Sequence, residues 1–183
     1  MKVYLVRHGE TEYNKNHLVQ GHTNIPLNET GIMQAKEAAK HLVGVKLDAA
    51  YSSTMDRAHD TCRYMLDNSG HENLNITRDE RVIEKHYGKF EEATYEAWYK
   101  AQDESDLDTV EKDDSIVARM ENFLKEKYNE HKDETIIVVC HGACIRIFLD
   151  GNNLRPNKDF IKNTAVNILN YDGEKFELEA YNL

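Results

Sequence analysis

The apolar positions of the chain follow two rhythms. Unbroken runs, Val3-Tyr4-Leu5-Val6 and Ile136-Ile137-Val138-Val139, have the length and composition of strands buried on both faces. Shorter strands are expected over 47–51 and 75–77. Between these runs the apolar residues return every three or four positions. Ile32, Ala35, Ala38, Ala39 and Leu42 form a stripe that predicts a helix, with Thr30 as its N-cap. Further helices are expected over 55–66 and 115–131 and through Ile145, Phe148 and Leu149. Tyr171-Asp172-Gly173-Glu174 marks a hairpin turn. The pattern predicts an α/β three-layer sandwich: a mostly parallel central sheet, helices on both faces and an antiparallel C-terminal hairpin. A single domain over 1–183 is expected, with a small lid insertion at about 91–114. There the sequence turns acidic and loses its rhythm. Tyr95, Trp98 and Tyr99 predict a helix packed by aromatics, and their spacing favours core packing over contact with a ligand.

The two strongest runs end alike, the first in Arg7-His8-Gly9 and the second in Cys140-His141-Gly142. Neighbouring parallel strands of an open sheet share one crevice at their carboxyl ends, so the two imidazoles can face each other there. Either histidine alone reads as an ordinary polar residue; two in the same layout point to a site. Arg57, on the first turn after the second strand, offers a planar fork suited to phosphate oxygens, or else pairs in solvent with Asp56 or Asp60. Glu84 follows Val82-Ile83 and can turn back into the crevice, although one carboxylate among 33 acidic residues is undistinctive.

Charge narrows the function classes. The 183 residues carry 23 basic and 33 acidic side chains, a net charge of −10. Such a surface disfavours nucleic acid and anionic membranes, so an anionic ligand needs a local basic pocket. Cys62, Cys140 and Cys144 fit neither a disulfide framework nor a zinc ribbon, and read as small buried residues in a reducing cytoplasm. The first apolar run stops at Val6, too short for a signal peptide, and no stretch has the length of a membrane span.

Arg7-His8-Gly9-Glu10-Thr11-Glu12-Tyr13-Asn14 resembles the signature of the histidine phosphatase superfamily, the phosphoglycerate mutase-like family. Leu27-Asn28-Glu29-Thr30-Gly31, Ser52-Ser53 through Arg57-Ala58 to Thr61, Glu84 with Gly88, and Val139-Cys140-His141-Gly142 are similar to its further motifs, in the same order. The resemblance implies that His8 is the nucleophile of a phosphohistidine mechanism and Glu84 the general acid and base. Arg7, Arg57 and His141 would clamp the phosphoryl oxygens. Asn14, Gln20, Gly21 and Gly142 would complete the phosphate pocket. No metal and no cofactor is called for, and no His-x-x-x-His spacing appears. The expected partner is a small phosphorylated substrate, met by a monomer or homodimer. Lys15, His17, His22, Lys85 and His86 are candidates for the approach to the pocket, each also readable as a solvated surface residue.

The acidic 103–114 stretch would repel a bisphosphate, which favours a phosphatase over a cofactor-dependent mutase. Glu84-Lys85-His86-Tyr87-Gly88, however, resembles the mutases' motif, with Lys85 where they usually carry arginine. A non-catalytic phospho-ligand binder is disfavoured because both His8 and Glu84 are present.

Overall fold

In a computed structural model, residues 1–103 and 107–183 are described, so residues 104–106 of the acidic stretch lie outside the described residues. The strands are β1 (Lys2–Arg7), β2 (Ala49–Ser52), β3 (Ile76–Arg78), β4 (Thr135–Cys140), β5 (Val166–Tyr171) and β6 (Phe176–Ala180). The helices are α1 (Glu12–Lys15), α2 (Glu29–Ala38), α3 (Asp56–Asp67), α4 (Tyr95–Asp103), α5 (Asp113–His131) and α6 (Gly142–Gly151). Among the described residues the strands form one sheet in the order β3-β2-β4-β1-β5-β6. β3, β2, β4 and β1 run parallel, whereas β5 and β6 are antiparallel, as expected from the hairpin turn.

Alternation along β1 and β4 explains why both runs are continuously apolar. Val3, Leu5, Ile136 and Val138 face one way, into a core shared with Ile116, Met120 and Phe123 of α5 and Ile145 and Phe148 of α6. Tyr4, Val6, Ile137 and Val139 face the other way, against Ala35 and Ala38 of α2 and Ala58, Cys62 and Met65 of α3. Removing most of a fully buried side chain such as Phe123 or Phe148 from this core would cost about 3–5 kcal/mol.

Two local expectations are corrected. The cap of α2 is Asn28, whose side-chain oxygen accepts the Gly31 N–H at 2.8 Å; Thr30 lies inside the first turn. Asn28 also donates to Glu10 at 2.9 Å, which a threonine two residues later is not placed to do. The aromatic helix of the 91–114 stretch exists as α4, but its rings line a cavity, as described below.

The chain leaves β1 over the α2 face towards β2, and leaves β4 over the α6 face towards β5. The crossovers therefore part between β1 and β4, and this divergence opens a crevice at the carboxyl ends of those strands.

Candidate active site

The register of β1 and β4 sets Arg7 opposite Cys140, and the His8 N–H donates to the Cys140 carbonyl at 3.0 Å. His8 and His141 therefore leave adjacent strands side by side, with ring centroids 5.1 Å apart and planes at 63°. Both are buried. His8 Nδ1 lies 2.7 Å from the Gly9 carbonyl, which can only accept, so Nδ1 carries the proton and Nε2 the lone pair. Burial, with Arg57 and Arg7 beside it, holds the ring well below the usual imidazole value of 6.5. His141 is depressed likewise, by burial first and then by Arg57 and His8. Its Nε2 is 2.8 Å from Ser53 Oγ at the end of β2.

The turn after His8 depends on Gly9. Its N–H donates to Thr61 Oγ1 at 2.9 Å, and a Cβ there would sit 2.5 Å from the Gly31 carbonyl of α2. A side chain at this position would push α2 away from the pocket. Thr61 donates in turn to the Arg57 carbonyl, so α3 is locked to the same turn.

Arg57 is fully buried. Its Nη1 and Nη2 donate to the carbonyls of Thr23 and Gly21, each at 2.8 Å, which ties the 20–23 loop over the crevice. Burial lowers its pKa to about 10, so it stays charged at neutral pH. Arg7 donates from Nη1 to the Ile161 carbonyl at 2.6 Å, and its guanidinium lies 5.1 Å from the Phe160 ring centroid. Four buried side-chain nitrogens have no hydrogen-bond partner among the described residues: Arg7 Nε, Arg57 Nε, His141 Nδ1 and Arg155 Nε. The last is ion-paired with Asp150 at 2.7 Å. The other three belong to residues for which the family resemblance implies contact with phosphoryl oxygens. Unsatisfied buried polar groups are costly, and three of them lie at this one crevice.

Glu84, also buried, caps α6 from outside. Its Oε1 accepts from Cys144 N–H at 3.0 Å and Lys85 N–H at 2.9 Å, while Oε2 has a single weak contact, the Ala143 N–H at 3.4 Å. Asn14 Oδ1 is engaged by Thr11 N–H at 3.3 Å and Asn163 Nδ2 at 3.2 Å, and Gln20 Oε1 accepts from Thr11 Oγ1 at 2.8 Å. Both amides are thus anchored through their side-chain oxygens. Gly142 opens α6 against Arg7; a Cβ there would lie 3.1 Å from Arg7 Nε.

A cavity of about 500 Å³ collects these groups. Arg7, His8, Asn14, Gln20, Gly21, Glu84 and Gly142 line it, with Arg57 and His141 buried behind. Of the five approach candidates only Lys85 lines it. His22 and His86 pack on each other at 4.9 Å, and His22 also contacts the Glu84 carbonyl, so both serve the loop. Tyr95, Trp98 and Tyr99, expected in the core, line the cavity instead. Sequence reasoning missed Arg146, Arg155, Lys158 and Phe160 on its rim, and Ser53 beneath His141. Ser53 was findable: it ends β2 as His141 ends β4, and the two strands are neighbours. The described residues hold no cluster of three or more His, Cys, Asp or Glu suited to a metal ion, and no described helix is long and apolar enough to cross a membrane.

Comparison with known proteins accords with this geometry. The family model of the histidine phosphatase superfamily (branch 1) matches residues 3–183. Phosphoglycerate mutase-like protein 4 of Arabidopsis thaliana is 30% identical over 98% of this chain and 84% of its own length. A broad-specificity phosphatase of Saccharomyces cerevisiae is 29% identical over 96% of this chain and 83% of its own. The solved structure of Bacillus stearothermophilus YhfR superposes with a TM-score of 0.87 at 26% identity, covering 99% of this chain and 96% of that one. The chain, with its paired strand-end histidines and its crevice of unpaired nitrogens, belongs to branch 1 of the histidine phosphatase superfamily.

Proposed function

We propose that the protein hydrolyses a small phosphomonoester through a phosphohistidine at His8. The observation that carries this reading is the trio of buried, unpaired nitrogens, Arg7 Nε, Arg57 Nε and His141 Nδ1, beside a histidine whose attacking nitrogen is unprotonated. His8 Nε2 attacks phosphorus and the ester P–O bond breaks. Arg7, Arg57 and His141 hold the equatorial oxygens as charge spreads over them. The leaving oxygen takes a proton from Glu84. Oε2, with its one weak contact, is the oxygen suited to carry that proton, because Oε1 already accepts two N–H groups. Glu84, now ionised, accepts a proton from water as the water attacks phosphorus. The P–N bond breaks, inorganic phosphate leaves and neutral His8 is restored. Asn14, Gln20, Gly21 and Gly142 shape the pocket, and the 91–114 segment acts as its lid within a single domain. The lid is tied to the 17–19 loop by Tyr95 N–H to the His17 carbonyl at 2.9 Å and Val19 N–H to the Ala93 carbonyl at 2.8 Å.

A phosphomonoester panel scored by released phosphate tests the reading, with His8→Ala as control. Equal, negligible release by wild type and His8→Ala would sink it. The likeness to a mutase-like relative keeps phosphoryl retransfer as the second reading. It predicts isomerisation of 3-phosphoglycerate with a bisphosphate primer and no free phosphate.

A further inference from the structure

Beyond the phosphate pocket, the outer half of the cavity has a chemistry of its own. Large apolar side chains that stand more than half exposed are few among the described residues: Met33, Val43, Tyr99, Phe160 and Leu183. Two of these five, Tyr99 and Phe160, come from segments 61 positions apart in the sequence and line the same cavity. Phe160 adjoins the phosphate clamp directly, because the Arg7 guanidinium lies 5.1 Å from its ring centroid. Tyr99 continues a wall whose base is Trp98, itself packed edge-on against Tyr87 at 5.0 Å. Aromatic faces left open beside a polar pocket favour a flat apolar partner.

Three of the four outer cations lining the cavity, Lys85, Arg146 and Arg155, already contact carboxylates. Lys85 meets Asp113 at 2.6 Å, and Arg155 meets Asp150 at 2.7 Å, with Arg146 contacting the second oxygen of Asp150 at 3.6 Å. Lys158 makes no ion pair among the described residues; it lines the cavity two positions before Phe160 in the sequence. A second anionic group on the substrate would have to compete with these carboxylates, whereas a ring would displace only water. We propose that Tyr99, Phe160 and the Trp98 wall form a leaving-group subsite for a planar aromatic ring, so that the preferred substrates are aryl phosphomonoesters. The assignment rests on the phosphate-pocket reading above for where the phosphoryl group sits.

Binding of non-hydrolysable phosphonates to the full chain, measured by calorimetry, tests this without requiring turnover. Phenylphosphonate, butylphosphonate and 3-phosphonopropionate present a ring, an alkyl chain and a second anion. Two aromatic contacts predict that phenylphosphonate binds about tenfold tighter than butylphosphonate. Tyr99→Leu and Phe160→Leu keep apolar bulk but remove the ring faces, and each should reduce that ratio; melting curves verify that both variants fold. Equal affinity for the two apolar probes in wild type overturns the proposal, as does a ratio unchanged in both variants. It is also overturned if 3-phosphonopropionate binds tightest and Arg146→Gln abolishes its advantage. Ring preference without hydrolysis of any ester would leave the subsite standing and remove the hydrolase reading. Binding of neither the phosphonates nor inorganic phosphate would remove both.

Discussion

Arg119 reaches from α5 into the back of the turn that carries Glu84. Its guanidinium donates to the Arg81 carbonyl at 2.8 Å and the Glu84 carbonyl at 3.3 Å, and it grips the Glu111 carboxylate at 2.8 and 3.2 Å. Glu111 accepts the His86 N–H at 3.1 Å and returns its own N–H to the His86 carbonyl at 2.9 Å. One ion pair thus fixes residues 84–86 from two sides, and on the proposed mechanism Arg119 is a positioning residue for Glu84. Arg119→Lys keeps a positive charge beside Glu111, but an ammonium lacks the planar fork that reaches two carbonyls and a carboxylate together. A hydrogen bond to a charged group contributes about 1.5–3 kcal/mol, and part of that loss falls on the placement of the Glu84 carboxyl. Proton donation to the leaving group should then slow by about 10- to 100-fold, the equivalent of roughly 1.4–2.7 kcal/mol. A nitrophenyl ester departs without a proton, whereas an alkyl ester needs one. In single-turnover measurements of phosphoenzyme formation, Arg119→Lys should therefore impair an alkyl phosphate far more than a nitrophenyl phosphate, and Glu84→Gln should show the same asymmetry. Equal slowing of both esters by Arg119→Lys, with Glu84→Gln still selective, would refute the reasoning and leave Arg119 a purely structural residue.

Stability should fall with acid. The depressed values of His8 and His141 mean that below about pH 6.5 the unfolded chain binds protons that the folded chain refuses. Stability is therefore fully present above pH 6.5 and is lost as pH drops, with these two groups together adding a slope that approaches about 2.7 kcal/mol per pH unit. Denaturant melts of His141→Gln should show about one proton less of that slope, and an unchanged slope would count against the depressed value. Gly142→Ala places a methyl group 3.1 Å from Arg7 Nε at the first helical position of α6. The Arg7 side chain must give way to the methyl group, so phosphate affinity should drop about 3- to 10-fold, with melting curves verifying that the variant folds; wild-type affinity would exclude Arg7 Nε as a ligand. Inorganic phosphate or vanadate at 100 times its dissociation constant should stabilise the fold by about 2.7 kcal/mol, or roughly 5–10 °C in melting temperature. No shift with either anion would contradict an oxyanion pocket.

The sheet and its inner site were legible because their signals are local. Continuous apolar runs need cover on both faces, and β1 and β4 have it. A histidine directly after such a run has little freedom in where it emerges, so neighbouring strands alone bring His8 and His141 together. Arg57 was harder. Its fork holds the carbonyls of Gly21 and Thr23, partners more than thirty positions away that no spacing rule supplies. The outer wall was not legible. Tyr95, Trp98 and Tyr99 share helical spacing with ordinary core residues, and which face of α4 meets the cavity depends on where the 17–19 loop pins its start. Arg146, Arg155 and Phe160 converge on the cavity from α6 and the segment after it, and nothing in their local pattern separates them from surface residues.

How so acidic a chain would hold the proposed phosphoryl group follows from what surrounds Arg7 and Arg57. Neither Arg7 nor Arg57 is ion-paired with a carboxylate among the described residues; backbone carbonyls of Ile161, Gly21 and Thr23 orient them instead. Carbonyl dipoles fix a guanidinium without cancelling its charge, so an entering phosphate meets cations that it need not strip from an acid. Burying such charges costs several kcal/mol, a cost visible in the lowered values of both arginines. Glu84 is the carboxylate whose field reaches both, and its oxygens are held by two backbone N–H groups in the first turn of α6, those of Ala143 and Cys144, and by the Lys85 N–H. At the outer rim, by contrast, Lys85 and Arg155 are each paired to an aspartate. Two guanidiniums free of carboxylate partners therefore sit together at the inner end of the cavity, which suits the proposed single phosphoryl group there.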